Sequence, residues 1–499
     1  MSLKAWAAKH YARRVVQSDA RWMAQPHQTQ EAVFKKLIRQ AKNTAFGKDH
    51  DFASIKSPQD FRERVPVRDY EQLRNYVERI VAGEEDVLWP GRPKYFAKTS
   101  GTTSGSKFIP ITSISMKEQV RASRRALLHY IHESGNTEFV NGKMIFLQGS
   151  PVLEKKGGIY YGRLSGISAH YLPAYLQTNR LPSWETNCIE DWETKVDAVV
   201  EETIQADMRV IAGIPSWVQM YFERLQSAGS KRVGDLFPNF SLFVYGGVNY
   251  EPYRAKFESL IGRSVDSVEL FPASEGFFAF QNQQDDPGLL LLLDAGIYYE
   301  FIPADQFFDD NPPRLGLEEV VLGKDYALIL STNAGLWGYN IGDTVRFVSK
   351  DPYKVVVSGR IKHFISAFGE HVIAKEVEQA IQEGIQAFPA RVNEFTVSPQ
   401  TTPEEGELPY HEWLIEFDQE PEDLKGFAAE MDKSMQEQNS YYKDLIEGKI
   451  LQPLKITTIQ AGGFDAFMKS IGKLGGQNKV KRLANDRSTA DPLSAFKTP

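Results

Sequence analysis

From Lys143 to Phe271 short apolar runs alternate with stretches of helical periodicity, and this alternation constrains the fold more than any other feature of the chain. Met144 to Leu147, Val210 to Ala212, Leu242 to Tyr245 and Val265 to Phe271 read as strands. Pro215 and Pro252 stand where a helix accepts proline, in its first turn. The pattern points to an α/β domain. A denser set of apolar segments follows: Leu289 to Leu293, Ile297 to Ile302, Glu318 to Leu322, Ala327 to Ser331 and Val345 to Val348. Their close spacing predicts antiparallel pairing.

Either side of this block the periodicity is helical. Val33, Leu37, Ile38 and Ala41 repeat on one face, as do Tyr70, Leu73, Val77 and Ile80. Ser115 with Glu118 predicts a capping box that opens a helix through Leu127, Leu128 and Ile131. Beyond Gly359-Arg360 a strand is expected near Phe364, a helix over Val377 to Ile385, a strand over His411 to Phe417, and a helix opened by Pro421. The polar stretch Pro399 to Pro409 reads as a surface loop. A length of 499 residues accommodates two or three domains. The expected division is a large N-terminal domain over 1–359, with mixed sheets and a barrel-like part, and a small mobile α+β domain over 360–499.

Composition narrows the function classes. A net charge of −7 argues against a nucleic-acid surface, which needs an excess of Lys and Arg over the contact face. Cys188 is the single cysteine, which excludes an internal disulfide and thiolate metal clusters and suggests a reducing compartment. Met1 to Trp22 lacks the unbroken apolar core of a signal peptide, and Leu289 to Leu293 is too short to span a bilayer. The expectation is a cytoplasmic protein, monomeric, without membrane or nucleic-acid partners.

Thr99-Ser100-Gly101-Thr102-Thr103-Ser104-Gly105-Ser106-Lys107 packs hydroxyls, two glycines and a lysine into one stretch before an apolar strand. Glycines let backbone N–H groups turn inward, hydroxyls donate without bringing charge, and lysine supplies a point positive charge, so the composition suits polyphosphate. It is not a Walker A loop: three residues rather than four separate the glycines, and Ser106 stands between Gly105 and Lys107. The alternative is a flexible Ser/Gly linker. Four further segments stand out, each with an ordinary structural reading as well. Leu242 to Tyr245 ends in Gly246-Gly247, a tight turn by itself. Phe271-Pro272-Ala273-Ser274-Glu275-Gly276 follows, and its Ser and Glu could equally cap a helix. Trp337 to Thr344 carries Gly342-Asp343, read as a turn between strands. Gly475 to Arg482 is a glycine-led basic stretch of the kind that is usually solvated.

Taken together and in order, these segments resemble the motifs of the acyl-adenylate-forming superfamily, which includes firefly luciferase, acyl-CoA synthetases and peptide-synthetase adenylation domains. The closer likeness is to the plant auxin-responsive family of acyl-acid amido synthetases and its bacterial relatives. That resemblance implies ATP and Mg²⁺ as cofactors, and a carboxylic acid and an amino acid as substrates. Ser100 to Gly105 and Lys107 would bind phosphates; Gly246 and Gly247 would lie along adenine, with Phe271 stacking near it in place of the usual Tyr. Ser274 would contact phosphate, Glu275 would hold Mg²⁺, and Asp343 would accept the ribose hydroxyls. Asn340 stands where plant enzymes usually have Arg. Arg360 would reach ribose or phosphate, Lys362 would be the hinge pivot, with Gly369-Glu370 downstream, and Lys479 would be the adenylating lysine, with Lys473 and Lys481 as rivals. Trp217, Val218 and Tyr221 could line an acyl pocket or form plain core.

The implied reaction is adenylation of the acid, then acyl transfer to the amino acid. The alternatives are a thioester-forming acyl-CoA synthetase and a catalytically silent nucleotide sensor. The sequence holds no G-x-S-x-G elbow and no H-E-x-x-H helix.

Overall fold

The computed structural model describes residues 2–102, 105–171, 179–247, 250–361, 364–365, 372–401, 403, 407–447, 450–474, 479–484 and 486–498. The chain forms two compact units, Met1–Val248 with Ile261–Val357, and Asn249–Leu260 with Ser358–Pro499.

In chain order the strands are β1 Tyr95–Thr102, β2 Gly105–Ile111, β3 Lys143–Phe146, β4 Glu154–Lys156, β5 Ile159–Gly162, β6 Arg180–Leu181 and β7 Met208–Ala212. Then come β8 Leu242–Gly246, β9 Asp266–Ala273, β10 Gly276–Gln281, β11 Leu289–Leu291, β12 Ile297–Pro303, β13 Asp325–Thr332, β14 Tyr339–Lys350 and β15 Tyr353–Arg360. The last five are β16 Phe364–Ile365, β17 Val372–Ile373, β18 Arg391–Gln400, β19 Tyr410–Gln419 and β20 Lys455–Ile459.

The first unit is organised by a sheet of 11 strands in the order β12-β13-β14-β15-β11-β10-β9-β8-β7-β3-β6. Strands β6, β3, β7, β8 and β9 run parallel, as the strand and helix alternation implies. Leu242, Phe243, Val244 and Tyr245 are all buried, the continuous apolar run of a strand covered on both faces. The strand-rich stretch expected to build the barrel-like part is the antiparallel flank of this sheet, from β10 to β15. A second sheet, β2-β1-β5-β4, carries the hairpin β1–β2.

Four local expectations change. The helix expected from Ser115 starts at Ser113 and runs to Ser134, because the Thr112 hydroxyl accepts the Ser115 N–H while the Ser115 hydroxyl accepts the Thr112 N–H, each at 3.0 Å. Leu317–Glu319 is a 3₁₀ turn where a strand is expected; the Glu319 carboxylate accepts the Gly316 N–H at 2.6 Å and holds the chain out of the sheet. The helix assigned to Pro421 begins at Leu424, because Asp423 caps the Gly426 N–H at 2.9 Å. Pro399 belongs to β18, opposite His411, and not to a loop; β18 is an edge strand of its sheet, where proline's missing N–H costs no ladder bond.

In the second unit β18-β19-β20 form a sheet whose buried Val397, Trp413 and Ile415 pack with Val377, Ile381, Phe427 and Met431 of the helices Ala374–Ala387 and Leu424–Gln438. The segment 249–260, inside the span expected for the large domain, clusters here instead. Its Tyr253 hydroxyl accepts from Arg482 at 2.7 Å, and Lys256 pairs with Asp418 at 2.8 Å. Among the described residues, no helix is long and apolar enough to cross a membrane.

Candidate functional site

Parallel strands in an open α/β sheet present ligands to the crevice outside their carboxyl ends. Two of the sequence motifs stand at that edge. Gly246 closes β8 opposite Leu270 of β9. A Cβ on Gly246 would lie 2.5 Å from the Leu270 carbonyl oxygen and 3.3 Å from Pro272 Cδ, so the neighbouring strand itself demands glycine here. Gly247 follows at φ +78°, a conformation glycine adopts without strain.

On β9 the motif Phe271 to Gly276 makes a two-residue hairpin turn. Ala273 pairs with Gly276, and Ser274 and Glu275 form the connection to β10. The helix-cap reading of Ser274 and Glu275 is thereby excluded. A bulge in β10 at Phe278 faces Phe271, and the two rings meet edge to face at 5.0 Å. Phe271 is buried, and Ser274 and Glu275 are half-buried.

The hydroxyl-rich motif is the tip of the hairpin β1–β2 and not an open loop. Thr99 faces Lys107 and Thr102 faces Gly105, with an irregularity between the two pairs. Ser100, Gly101, Thr102 and Gly105 are placed by their backbones as strand residues, while Thr103 and Ser104 lie outside the described residues. The base of the hairpin is held firmly. Tyr70, from the helix Tyr70–Val81, accepts the Phe108 N–H on its hydroxyl at 3.0 Å, and the Lys107 ammonium lies 5.9 Å from that ring's centroid. Burial pushes the Tyr70 phenol up, so it stays protonated. Thr112 donates to the Asn333 carbonyl at 3.1 Å, which ties the end of β2 to the β13–β14 connection. Sequence reading gives Tyr70 only as a core position; nothing in its pattern marks it as the support of Lys107.

Gly342-Asp343 is not a turn between strands. It lies inside the 12-residue β14, at a bulge: Asn340 pairs with Ile329 and Thr344 with Ala327, so Ile341 to Asp343 together oppose Leu328. Gly342 takes φ +90°, and its N–H donates to the Asn340 side-chain oxygen at 2.9 Å. Bulges re-aim side chains and recur beside active sites. Asp343 follows the kink, half-buried. Phe96, Ala97, Ile109, Phe271 and Ile341, the neighbours of these motifs in sequence, belong to one buried cluster, with Phe108 and Ala273 packed against it.

Glu275 is the one carboxylate of the two-residue turn, a hard oxygen donor. That suits Mg²⁺, which is commonly held through one or two carboxylates plus substrate phosphates and not in an all-protein cage.

Trp217, Val218 and Tyr221 lie on the helix Pro215–Gly229 and are buried. Trp217 packs on Trp192 at 4.6 Å, Val218 lies against Gly213, and the Tyr221 hydroxyl meets Thr203 at 2.7 Å. These contacts account for the three side chains as core.

The remaining candidates belong to the second unit. Arg360 ends β15 and is exposed. Lys362, Gly369 and Glu370, like Gly475 to Asn478, lie outside the described residues. Lys479 is exposed and stands just before a docked stretch: Thr396 donates to the Lys481 carbonyl at 2.6 Å, and Leu483 bridges Val397.

Sequence models of the GH3 family's N-terminal, central and C-terminal domains match residues 20–187, 290–360 and 375–488. The chain belongs to the GH3 family.

Jasmonoyl–L-amino acid synthetase JAR4 of Nicotiana attenuata is 22% identical to this GH3 chain over 384 residues, covering 64% of the chain and 66% of that protein. The match thus spans about two thirds of that relative. Indole-3-acetic acid-amido synthetase GH3.4 of Arabidopsis thaliana is 22% identical over 558 residues, covering 92% of the chain and 89% of the relative. Among solved structures, AtGH3.15 acyl acid amido synthetase in complex with 2,4-DB superposes with a TM-score of 0.80 at 17% identity, covering 98% of this chain and 96% of that one. A 2-hydroxyisobutyryl-CoA ligase in the postadenylation state superposes at 0.59 and 13% identity, covering 93% and 92%. The structural likenesses carry the GH3 and acyl-adenylate-forming fold.

Proposed function

We propose that the protein is an ATP-dependent acyl acid amido synthetase, which joins a carboxylic acid to an amino acid through an acyl-adenylate. A carboxylate is a poor acyl donor because oxide would have to leave. Attack of its oxygen on the α-phosphorus of ATP, with departure of pyrophosphate, converts it into a mixed anhydride whose leaving group is AMP. The amine of the amino acid then attacks the carbonyl carbon, the amide bond forms and AMP leaves.

The chemistry asks the protein mainly for positioning and charge stabilisation. On this reading the β1–β2 hairpin presents backbone N–H groups, hydroxyls and Lys107 to the phosphates, Gly246 and Gly247 let the adenine lie close to β8, and Phe271 flanks it. Ser274 reaches phosphate, and Asp343 at its bulge accepts the ribose hydroxyls. Glu275 is the residue that would hold Mg²⁺, which supplies positive charge to the phosphate oxygens when bound. Arg360 and Lys479 belong to a small C-terminal domain that pivots near Lys362, and Lys479 neutralises charge growing on the α-phosphate. The reading rests above all on one observation: the family's three domains are matched in order along the chain, and the hairpin, β9 and β14 motifs spring from one buried cluster.

ATP–pyrophosphate exchange with a library of aromatic, indolic and fatty acids tests the first half-reaction, and mass spectrometry with pooled amino acids tests the second. Exchange with no acid would overturn the reading. A CoA-dependent thioester with no amide would move the protein to the acyl-CoA ligases, which share the first step.

A further inference from the structure

A group of polar side chains at the carboxyl end of β3 and on its neighbour β6 is left unused by the adenylation reading. Arg180 opens β6, in register with Met144 of β3. Its guanidinium lies over the Phe146 ring, 4.8 Å from the centroid, and therefore reaches along β3 towards that strand's carboxyl end. Nε and Nη2 of Arg180 are buried and have no hydrogen-bond partner among the described residues. Two residues beyond Phe146, Gln148 is 2% exposed, and its Oε1 is also buried, without a partner among the described residues. The Arg163 side chain lies beside the next residue of the chain: a Cβ on Gly149 would lie 2.9 Å from its Nη1, and the Glu190 carboxylate acts on the same guanidinium.

A guanidinium fork without an acceptor is costly when buried, and a carboxylate that accepts from it in bidentate fashion removes that cost. Burial alone pushes Arg180 down to about 10, with no carboxylate offsetting it. The position is apt. Strand β3 lies two places from β8 in the parallel set, about 10 Å along the same sheet edge at roughly 4.8 Å per strand.

We propose that Arg180, flanked by Gln148 and Arg163, binds a substrate carboxylate other than the one that is activated. This rests on the ligase reading for the identity of its substrates. The activated carboxylate loses its charge when it becomes an anhydride, so a fixed guanidinium holding it would oppose the reaction. A carboxylate that survives both half-reactions has no such conflict. Two substrate groups fit: the α-carboxylate of the acceptor amino acid, whose amine could also donate to Gln148, and a second carboxylate on the acyl acid.

The test pairs Arg180→Gln with Arg180→Lys, each checked for an unchanged thermal transition. Pyrophosphate exchange is measured with benzoate and hexanoate against succinate, glutarate and phthalate, and amide formation over a range of amino acid concentrations. If the carboxylate belongs to the acid, Arg180→Gln raises KM for the dicarboxylates at least tenfold and leaves benzoate alone. If it belongs to the acceptor, exchange is unchanged and KM for the amino acid rises at least tenfold, with kcat within about threefold. In either case Arg180→Lys falls between. Changes within twofold in every arm overturn the proposal. Calorimetric titration of wild type and Arg180→Gln with glutarate and with glutamate separates the two claims. Binding lost in the variant, with no exchange for any acid in the wild type, keeps the subsite and removes the ligase reading. Exchange without any such binding difference does the reverse.

Discussion

The side-chain oxygen of Asn340 accepts the backbone N–H of Gly342 at 2.9 Å, within a single strand. The residue standing where plant relatives are expected to carry Arg therefore supports the bulge from which Asp343 projects. Asn340 is 7% exposed, so removing its amide leaves a Gly342 N–H without its partner in a buried place. Asn340→Ala should cost about 1–3 kcal/mol of stability and, if Asp343 meets the ribose as proposed, raise KM for ATP, because the bulge that aims Asp343 loses its brace. Asp343→Ala should lower exchange by about a hundredfold while its melting temperature stays within a few degrees of wild type. Calorimetry beside exchange kinetics separates the two. Equal kinetic behaviour in both variants with unchanged melting would remove Asn340 from this role.

Lys107 faces Thr99 across the hairpin, and its ammonium approaches the Tyr70 ring. Such a contact is worth about 0.5–1 kcal/mol near a surface, so Lys107→Ala should leave folding almost untouched. If the ammonium meets phosphate as proposed, pyrophosphate exchange falls by about a hundred to a thousandfold. Tyr70→Phe is the informative companion. It deletes the acceptor for the Phe108 N–H, and the expected result is a smaller loss of exchange together with a lower melting temperature. Full turnover in Lys107→Ala would detach the hairpin from the chemistry.

Much of this arrangement is legible in the sequence, and the exceptions share a cause. Leu242 to Tyr245 announce a doubly covered strand because every position is apolar, and parallel order brings Gly246, opposite Leu270, and the motif that begins at Phe271 to one sheet edge. Gly342-Asp343 is misread as a turn because a bulge and a turn use the same residues, and only the register of β13 against β14 tells them apart. Ser115 is misread as a cap because Thr112 and Ser115 satisfy each other's backbone reciprocally, which makes either one fit the pattern. The support of Lys107 by Tyr70 is a contact 37 positions apart with no local signature. Membership of the segment 249–260 in the second unit is equally invisible, because its Tyr253 and Lys256 contacts lie with Arg482 and Asp418.

Gly246 offers a separation of packing from ligand approach. Its missing Cβ would stand 2.5 Å from a backbone oxygen that cannot move aside. Gly246→Ala should therefore destabilise the protein by about 1–3 kcal/mol whatever binds there, read as a lower urea midpoint with an unchanged slope. Gly247→Ala meets its strain from φ +78° instead. An unchanged midpoint in Gly246→Ala would mean that β8 and β9 separate more readily than their register suggests.

Lys195 gives the protein a pH dependence of definite sign. Its side chain is 3% exposed, its ammonium donates to the Asn187 carbonyl at 2.6 Å, and burial, helped by the charge of Arg163, pushes it down to about 8. In the unfolded chain the same amine holds its proton to about 10.4. Below pH 8 both states are protonated, and the buried cation is a constant cost to the fold. Between about 8 and 10.4 the unfolded chain binds more protons than the folded one, so stability rises with pH across that window and levels off above it. Lys195→Met keeps the length of the side chain and removes the charge, so the difference between wild-type and variant denaturation curves isolates this residue from the other groups titrating there. Wild type should gain on the variant by up to about 3 kcal/mol from pH 8 to pH 10.4, and parallel curves would show that the amine keeps an ordinary affinity for its proton despite its burial.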